Sequence, residues 1–135
     1  FVPVDLLKLI QNDFNKNTCD VITASQKITN MNDLQNPNCV KVHTTNNYAD
    51  DFQRICKVNA KNASHHLGIY GYRLSTLHKL VELTPTKREL ELKLEQLRFM
   101  DNNFSIYVSS YTNTVQGGID TQEDVDNAIL YLKNL

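Results

Sequence analysis

His66-Leu-Gly-Ile-Tyr-Gly-Tyr-Arg73 is the stretch of sequence from which the fold of this chain can be read. Its aromatic and β-branched residues predict a strand, and its two glycines indicate that another backbone or a ligand approaches that strand closely. His65 and His66 are adjacent, so on a strand they point to opposite faces and cannot readily share a metal ion. Tyr70 shares the face of His66 if the strand is regular. This His–Tyr pair could bind a polyol or an acid, and it could equally be a pair of polar groups in the core.

Hydrophobic periodicity predicts alternating helices and strands on either side of this stretch. Helices are predicted at 3–14, 74–83 and 86–100 and from 121 onward, and strands at 19–24, 39–45, 48–52, 67–72 and 104–111. Asn46-Asn47 is predicted as a turn between two strands, and a short helical turn is predicted near 33–34. In the last helix, Val125, Ile129 and Leu132 are expected on the buried side. The pattern predicts one α/β domain over residues 1–135.

Composition excludes several classes of function. The 135 residues include 14 basic and 15 acidic side chains, for a net charge of −1, so no broad cationic face for nucleic acid or anionic lipid is expected. No apolar run approaches the ~18 residues of a membrane helix. The three cysteines are far apart and form no Cys-x-x-Cys pair, which favours free thiols in a reducing compartment. The chain begins with Phe1, and Pro3 starts a helix at once. The sequence is therefore expected to begin inside a domain.

Three further polar residues could carry chemistry. Glu95 and Gln96 lie in an amphipathic pattern, so both are expected on the surface of a helix. Asp120 follows Gln116-Gly-Gly-Ile119, in which two adjacent glycines are a weak signal for a phosphate-binding loop. Its carboxylate could assist the start of the last helix through the helix dipole. It could also hold Mg²⁺, which accepts one or two carboxylates together with phosphate and water.

Five blocks of the sequence, in the same order, resemble the C-terminal half of the CMP-Kdo synthetases, the 3-deoxy-manno-octulosonate (Kdo) cytidylyltransferases. Besides the stretch from His66 to Arg73, the matching blocks are Phe1-Val-Pro-Val4, Asn36-Pro-Asn-Cys-Val-Lys-Val42, Leu94-Glu-Gln-Leu-Arg98 and Gly118-Ile-Asp-Thr-Gln-Glu-Asp124. The resemblance implies a Rossmann-like nucleotidyltransferase fold with a mixed sheet. It also implies that the chain holds only the C-terminal, sugar-binding and dimerisation half, without the N-terminal CTP-binding half.

For the complete protein the resemblance implies a Mg²⁺-dependent, homodimeric, cytoplasmic enzyme that joins CTP and Kdo for lipopolysaccharide or related glycan synthesis. The anomeric hydroxyl of the sugar would attack the α-phosphorus of CTP, and pyrophosphate would leave. Carried over by motif, Asp120 would be a catalytic residue and one Mg²⁺ ligand. The residues implied for the sugar site are His66, Tyr70, Glu95, Gln96 and Arg54.

Two departures from the family pattern leave alternatives open. The family's Tyr-x-x-Tyr-Phe-Ser-Arg appears here as Tyr48-Ala-Asp-Asp-Phe-Gln-Arg54, so Asp50 or Asp51 could pair with Arg54 in place of the sugar carboxylate. The segment 54–66 is also much shorter than in the family, where this region builds the subunit contact. The sequence therefore fits the sugar-binding half of an enzyme. These 135 residues alone are then expected to be inactive. The sequence also fits a non-catalytic descendant with a structural role, or a related enzyme for another acidic sugar such as a sialic acid.

Overall fold

The structure, a computed structural model, describes residues 2–56, 62–115 and 118–135. Five strands and five α-helices are present in these ranges, together with one 3-10 turn. In chain order they are α1 (Val4–Lys16), β1 (Val21–Gln26), the 3-10 turn (Met31–Leu34), β2 (Lys41–Thr45), β3 (Tyr48–Gln53), β4 (Ala63–Tyr72), α2 (Leu74–Val81), α3 (Lys87–Leu92), α4 (Gln96–Asp101), β5 (Ile106–Tyr111) and α5 (Gln122–Lys133). None of the described helices is both long and apolar enough to span a lipid bilayer.

The five strands form one closed sheet in the order β1-β4-β2-β3-β5. β1 pairs with β5 in parallel and with β4 antiparallel, so the sheet is mixed, as expected. The closure is narrow, because β3 and β5 meet only where Tyr48 lies opposite Tyr107. β1 is paired along both edges, and its first five residues are fully buried. It is therefore the strand around which the two apolar clusters of the domain are built.

Helix α1 covers one face of β1, and this packing explains one of the glycines in the first quoted stretch. Leu6 and Ile10 of α1 are buried in the same cluster as Ile22. A Cβ atom added to Gly71 would lie 2.7 Å from Cγ2 of Ile22, closer than real carbon contacts allow. The close approach predicted for this strand is therefore made by an apolar side chain, and not by a backbone or a ligand.

The other glycine of that stretch lies at an irregularity in β4. Thr23 lies opposite Tyr70 and Ser25 opposite His66, so four residue steps on β4 face two on β1. Gly68, between them, has a left-handed φ of +67°, which glycine adopts at little steric cost. Because two residues are added, the alternation of faces is kept and His66 remains on the side of Tyr70.

The predicted turn between two strands is confirmed. Asn46 and Asn47 have φ values of 51° and 65°, the left-handed pair of a two-residue hairpin turn that asparagine tolerates well. β2 and β3 flank this turn as an antiparallel pair. Capping boxes begin two of the predicted helices, one at Thr86 and one at Thr121. The short helical turn expected near 33–34 is the 3-10 turn.

One predicted helix is wrong in its extent. A single helix was expected over 86–100, but α3 ends at Leu92 and α4 begins at Gln96. Between them Lys93 adopts φ 54° and ψ 48°, a left-handed conformation that ends a helix. Leu90, before the bend, is 65% exposed, whereas Leu94 and Leu97 after it are buried.

The predicted buried face of the last helix is also wrong. No residue of α5 is buried, and Ile129 and Leu132 are 45% and 50% exposed. The sequence pattern correctly gave a helix from 121 onward, and the structure shows a capping box at Thr121. Within the part of the chain that the structure describes, no other element lies over that side closely enough to bury it.

Lys41 is a fully buried cation at the base of the β2–β3 hairpin. Its Nζ donates hydrogen bonds of 2.9 Å to the carbonyl oxygens of Asp33 and Asn36, and a third hydrogen bond to that of Arg54. Asp33 lies in the 3-10 turn, Asn36 follows it, and Arg54 follows β3. The carbonyls of Asp33 and Asn36 also accept backbone N–H bonds, so Lys41 adds a charged donor to them. Lys41 thereby ties both segments to β2.

Replacing Lys41 with methionine should lower the free energy of unfolding by about 3 kcal/mol, because three part-buried hydrogen bonds from a charged donor are lost while the side-chain volume is kept. Urea denaturation followed by circular dichroism measures the change. Lys79→Met, at an exposed position of α2, is the control and should leave stability within about 0.5 kcal/mol of wild type. A loss below about 1 kcal/mol in Lys41→Met would contradict the assigned role.

Candidate functional site

A row of aromatic rings crosses the inner face of β4 and is the centre of the candidate site. The His66 ring lies 5.0 Å from that of Phe52 and 5.4 Å from that of Tyr70, measured between centroids. Tyr70 and Tyr72 stack at 6.0 Å, and Tyr72 meets Phe99 of α4 edge-on at 6.3 Å. The predicted proximity of His66 and Tyr70 is therefore confirmed, and the row continues to α4.

Hydrogen bonding fixes the tautomer of His66. The Thr23 hydroxyl donates its single proton to the carbonyl oxygen of Ile69 at 2.6 Å. Its oxygen lies 2.9 Å from Nε2 of His66, so at that contact it must accept. Nε2 therefore carries the hydrogen, and Nδ1 has a free lone pair. The imidazole presents an acceptor with no partner among the described residues.

Burial keeps the His66 ring neutral. Loss of solvent lowers its pKa from 6.5 to about 4, and the neighbouring His65 contributes in the same direction. At neutral pH the ring therefore acts as a fixed hydrogen-bond acceptor. A base with this pKa would be weak at neutral pH, so the geometry favours orientation of a ligand over proton removal by His66.

The two tyrosines of the row are neutral as well. Burial raises the pKa of Tyr70 well above its usual range, with smaller contributions from Tyr72 and the Glu95 carboxylate. Burial and Glu95 together raise the pKa of Tyr72. Because Glu95 influences both phenols, its charge lies beside the row. Neither tyrosine hydroxyl has a hydrogen-bond partner in the described part of the chain, so both can bond to a ligand.

Gln96 is placed differently from its prediction. Glu95 is exposed as expected, but Gln96 is only 5% exposed, because the bend at Lys93 turns the start of α4 toward the sheet. The described residues offer its side-chain amide no hydrogen bond. Ser109 Oγ is the fully buried side-chain polar atom that lacks a partner among the described residues, so the amide of Gln96 stays open to water or a ligand. The surface prediction was wrong because it assumed one continuous helix.

Arg54 lies outside this row and is engaged with backbone. Its Nε and Nη2 donate to the carbonyl oxygens of Leu92 and Lys93, and Nη1 donates to that of Pro37. The alternative partners expected from sequence are occupied elsewhere. Asp50 accepts a hydrogen bond from Thr45, and Asp51 pairs with Arg88.

Asp120 also lies apart from the aromatic row, in exposed chain before α5. Its backbone N–H donates to the Asp124 carboxylate, which also caps Thr121. Its own carboxylate has no hydrogen-bond partner among the described residues, and these residues contain no cluster of three side chains suited to a metal ion. The preceding Gln116-Gly117 part of the weak loop signal lies outside the described residues, as does the stretch 57–61 of the shortened segment.

His65 occupies the opposite face from His66, as predicted. Its Nδ1 lies 3.2 Å from Nε2 of Gln26, and Gln26 accepts a hydrogen bond from the N–H of Val115 at its other end. The two histidines therefore have separate partners. The three cysteines are buried and free, as expected.

Sequence reasoning missed one cleft and two participants of the site. A cleft of about 1200 Å³ opens at the end of the sheet where β1 and β5 finish. Its polar lining is mostly hydroxyl and amide groups, from Ser25, Gln26, Lys27, Thr44, Asn62, Ser64, Ser110, Tyr111 and Thr112. The participants are Tyr72, which its position two residues after Tyr70 could have indicated, and Thr23, whose pairing with His66 depends on register.

Comparison with known proteins identifies the family. The cytidylyltransferase family model matches residues 1–109. The chain belongs to the cytidylyltransferase family. The 3-deoxy-manno-octulosonate cytidylyltransferase of Francisella tularensis subsp. novicida is 34% identical over 124 residues, covering 83% of this chain and 50% of that protein. A second such enzyme, from Actinobacillus pleuropneumoniae serotype 5b, is 30% identical, covering 98% of this chain and 59% of that protein.

A solved structure extends this relationship to the fold of the cytidylyltransferases. CMP:2-keto-3-deoxy-manno-octonic acid synthetase, complexed with CTP, superposes with a TM-score of 0.82 and 28% sequence identity. The match covers 100% of this chain and 58% of that one. The resemblance read from the five sequence blocks is thus confirmed, and so is the mixed-sheet fold. The chain spans about half the length of the curated relatives it matches.

Acidification should destabilise this cytidylyltransferase chain through His66. The ring titrates near 6.5 when unfolded and near 4 in the fold, so between these values only the unfolded state takes up the proton. The free energy of unfolding should then fall by up to about 1.4 kcal/mol per pH unit as pH decreases from 6.5 to 4. Urea titrations at several pH values measure this slope.

His66→Gln should remove this share of the pH dependence and give a flatter curve. His78→Gln, which replaces an exposed imidazole on α2, is the matched control and should follow wild type. Parallel curves for His66→Gln and wild type would show that His66 is not buried as a neutral ring.

Proposed function

We propose that this chain is the sugar-binding part of an enzyme that transfers CMP from CTP to Kdo and releases pyrophosphate. The names of the relatives and the CTP complex of the structural neighbour support this reaction. One observation of the chain itself carries the proposal. Tyr70, Tyr72 and the Nδ1 atom of His66 are grouped on one face of β4, with hydrogen-bonding capacity that no described residue uses. The amide of Gln96, at the start of α4, likewise has no hydrogen-bond partner among the described residues.

The chemistry of this group suits a polyhydroxylated ligand. His66 Nδ1 and the Glu95 carboxylate accept hydrogen bonds, whereas the Gln96 amide and the tyrosine hydroxyls can both donate and accept. Sugar hydroxyls, which donate and accept, can satisfy every member of such a set. The aromatic rings add apolar surface against which the C–H face of a sugar can pack.

In the reaction, these groups would fix the position of the attacking hydroxyl. A hydroxyl held in line with the α-phosphorus reacts faster because the translational and rotational entropy of the encounter has already been lost. His66 and Tyr70 remain neutral throughout, since burial disfavours both of their charged forms. Their role is orientation and exclusion of water.

The proposal includes Mg²⁺, with Asp120 as one of its ligands. The free, exposed carboxylate of Asp120 fits a cation that takes one carboxylate and fills its other positions with phosphate and water. The described ranges hold no group of three or more side chains that could bind a metal ion, so Asp120 would be one ligand of a site that other groups complete. When bound, Mg²⁺ would neutralise charge on the triphosphate. Three further parts of the proposal rest on the family resemblance alone. They are the homodimer, the cytoplasmic location and the role in lipopolysaccharide or related glycan synthesis.

Wild-type chain should bind Kdo, and Tyr70→Phe combined with Glu95→Ala should weaken that binding by at least about tenfold, because two polar contacts are removed. Gln96→Ala should weaken it independently. Titration by calorimetry or NMR measures the affinity. Glu91→Ala removes a neighbouring exposed carboxylate of α3, outside the row, and is the matched control.

A wild-type chain that binds no Kdo would favour the non-catalytic alternative, in which the chain has a structural role. Binding of a sialic acid in preference to Kdo would favour a related enzyme for another acidic sugar. Equal affinity in the wild type, the Tyr70/Glu95 double variant and Gln96→Ala would place the sugar elsewhere.

The 135 residues alone should release no pyrophosphate from CTP, Kdo and Mg²⁺. One exposed carboxylate is a weak metal site, and the sequence contains neither a Gly-x-Gly-x-x-Gly motif nor a Walker loop for a triphosphate. A coupled pyrophosphate assay tests this, with the Francisella relative as a positive control. Measurable turnover by this chain would show that the triphosphate is bound by residues not identified here.

A further inference from the structure

The hydroxyl of Thr23 lies in a chain of hydrogen bonds that runs from the backbone of β4 to the ring of His66. Its oxygen is 2.6 Å from the carbonyl oxygen of Ile69 and 2.9 Å from Nε2 of His66. The side chains of Thr23 and His66 are both buried. This chain of contacts therefore decides which nitrogen of the ring carries the hydrogen.

The carbonyl of Ile69 sets the direction of both hydrogen bonds. A carbonyl oxygen can only accept, so the single hydroxyl hydrogen of Thr23 is used there. The hydroxyl then offers only lone pairs to Nε2. An imidazole in the opposite tautomer would place two lone pairs against each other at 2.9 Å. The fold thus selects one tautomer before any ligand arrives.

An irregularity of β4 brings this carbonyl against a side chain. Carbonyls in a regular antiparallel ladder bond to N–H groups of the neighbouring strand. Here the register shifts between the β1 partners of His66 and Tyr70, and Ile69 lies in that interval. Gly68, beside it, has a left-handed φ of 67°, and a Cβ added there would meet nothing within 4 Å. The backbone conformation, and not a lack of space, therefore favours glycine at this position.

Aromatic contacts oppose the other way of exchanging the two ring nitrogens, which is a half-turn of the imidazole. The His66 ring meets that of Phe52 edge-on at 5.0 Å and the tilted ring of Tyr70 at 5.4 Å, measured between centroids. In a close-packed interior, such a half-turn requires neighbouring side chains to move. Nδ1, which has no partner among the described residues, is therefore an acceptor in a fixed place.

We propose that Thr23 is a positioning residue that sets the polarity of the sugar site, because it fixes the His66 tautomer in which Nδ1 accepts a hydrogen bond from a ligand hydroxyl. A ligand atom with only lone pairs would be rejected at that place, since it would face the lone pair of Nδ1. The effect on the ligand rests on the proposed function. The effect on the tautomer does not, because it follows from contacts of the unliganded chain.

Long-range ¹H–¹⁵N correlation spectra of the unliganded chain at neutral pH test the tautomer. Wild type should show a protonated Nε2 and an unprotonated Nδ1 for His66. Thr23→Val nearly keeps the shape of the side chain and removes the hydroxyl, so both tautomers should appear. Thr23→Ser keeps the hydroxyl and should retain the wild-type pattern. If Thr23 only filled space, valine would preserve that pattern better than serine.

Thr76→Val is the matched control for these spectra. It removes the hydroxyl of another buried threonine, on α2, that makes no hydrogen bond to His66, so the ring signals should be those of wild type. An Nδ1–H tautomer in wild type would overturn the proposal, and this outcome needs no variant. A single, unchanged Nε2–H tautomer in Thr23→Val, or in Thr23→Ala should the valine variant not fold, would overturn it as well.

Fluorinated analogues of Kdo test the effect on ligand recognition. In each analogue one hydroxyl is replaced by fluorine, which is close to a hydroxyl in size but cannot donate a hydrogen bond. Calorimetric titration should show at least one analogue that binds wild type at least about tenfold more weakly than Kdo. For one such analogue the penalty should shrink at least about threefold in Thr23→Val, because the ring can then donate from Nδ1.

The remaining variants separate the possible outcomes of the titrations. Thr23→Ser and Thr76→Val should keep the penalty of every analogue at its wild-type value. Penalties that are equal in wild type and Thr23→Val for all analogues would overturn the proposal. If wild type binds no Kdo, the proposed function fails, and the ring spectra still decide whether Thr23 sets the tautomer of His66.

Discussion

The pairing of backbone carbonyls in irregular chain is the constraint on which this domain depends. Lys41 and Arg54 between them bind six such carbonyls, three each, in the 3-10 segment, the loop after it, the end of β3 and the end of α3. A charged donor strengthens each of these hydrogen bonds and ties the irregular segments to the strands that carry the two cations. Because Lys41 also holds the carbonyl of Arg54, the two cations form one connected frame.

This frame links the hairpin to the candidate site. β2 and β3 place Phe52 beside His66, and the end of β3 places Arg54 against the end of α3. The bend that follows turns Gln96 inward and brings Glu95 close enough to influence the pKa of Tyr70 and Tyr72. The aromatic row comes from β4 and its polar neighbours from α4, so their relative position depends on contacts that lie behind the site. A rigid support of this kind is what a binding site requires.

Local signals explain which parts of the fold could be predicted. The Asn46-Asn47 turn, the capping boxes at Thr86 and Thr121, and the strand alternation depend on neighbouring residues, and all are present. The bend at Lys93 could not be read in this way. Lysine has no intrinsic preference for the left-handed region, so the bend depends on Arg54, which is distant in sequence.

In the candidate site too, some features follow from neighbouring residues and others depend on residues distant in sequence. Spacing on one strand predicted that His66 and Tyr70 are neighbours, whereas the burial of Gln96 followed from the unforeseen bend. The tautomer of His66 depends on Thr23 of β1, whose register against β4 includes two extra residues at Gly68. For α5, periodicity predicted an apolar side but could not say whether anything in this chain packs against it.

Electrostatics limits what the grouped residues can recognise. His66, Tyr70 and Tyr72 are neutral, and Glu95 is the charge that acts on the tyrosines. Of the cations beside α4, Arg98 is paired with Glu89, and Arg54 donates three of its N–H groups to carbonyls. The described part of the site is therefore suited to hydroxyl groups, and a ligand carboxylate placed near Glu95 would be repelled. Recognition of an acidic sugar then requires positive charge from a metal ion or from groups beyond this row. In the proposed function, hydroxyl contacts would set the orientation of the sugar, and the neutralisation of its acid group would belong to a separate part of the site.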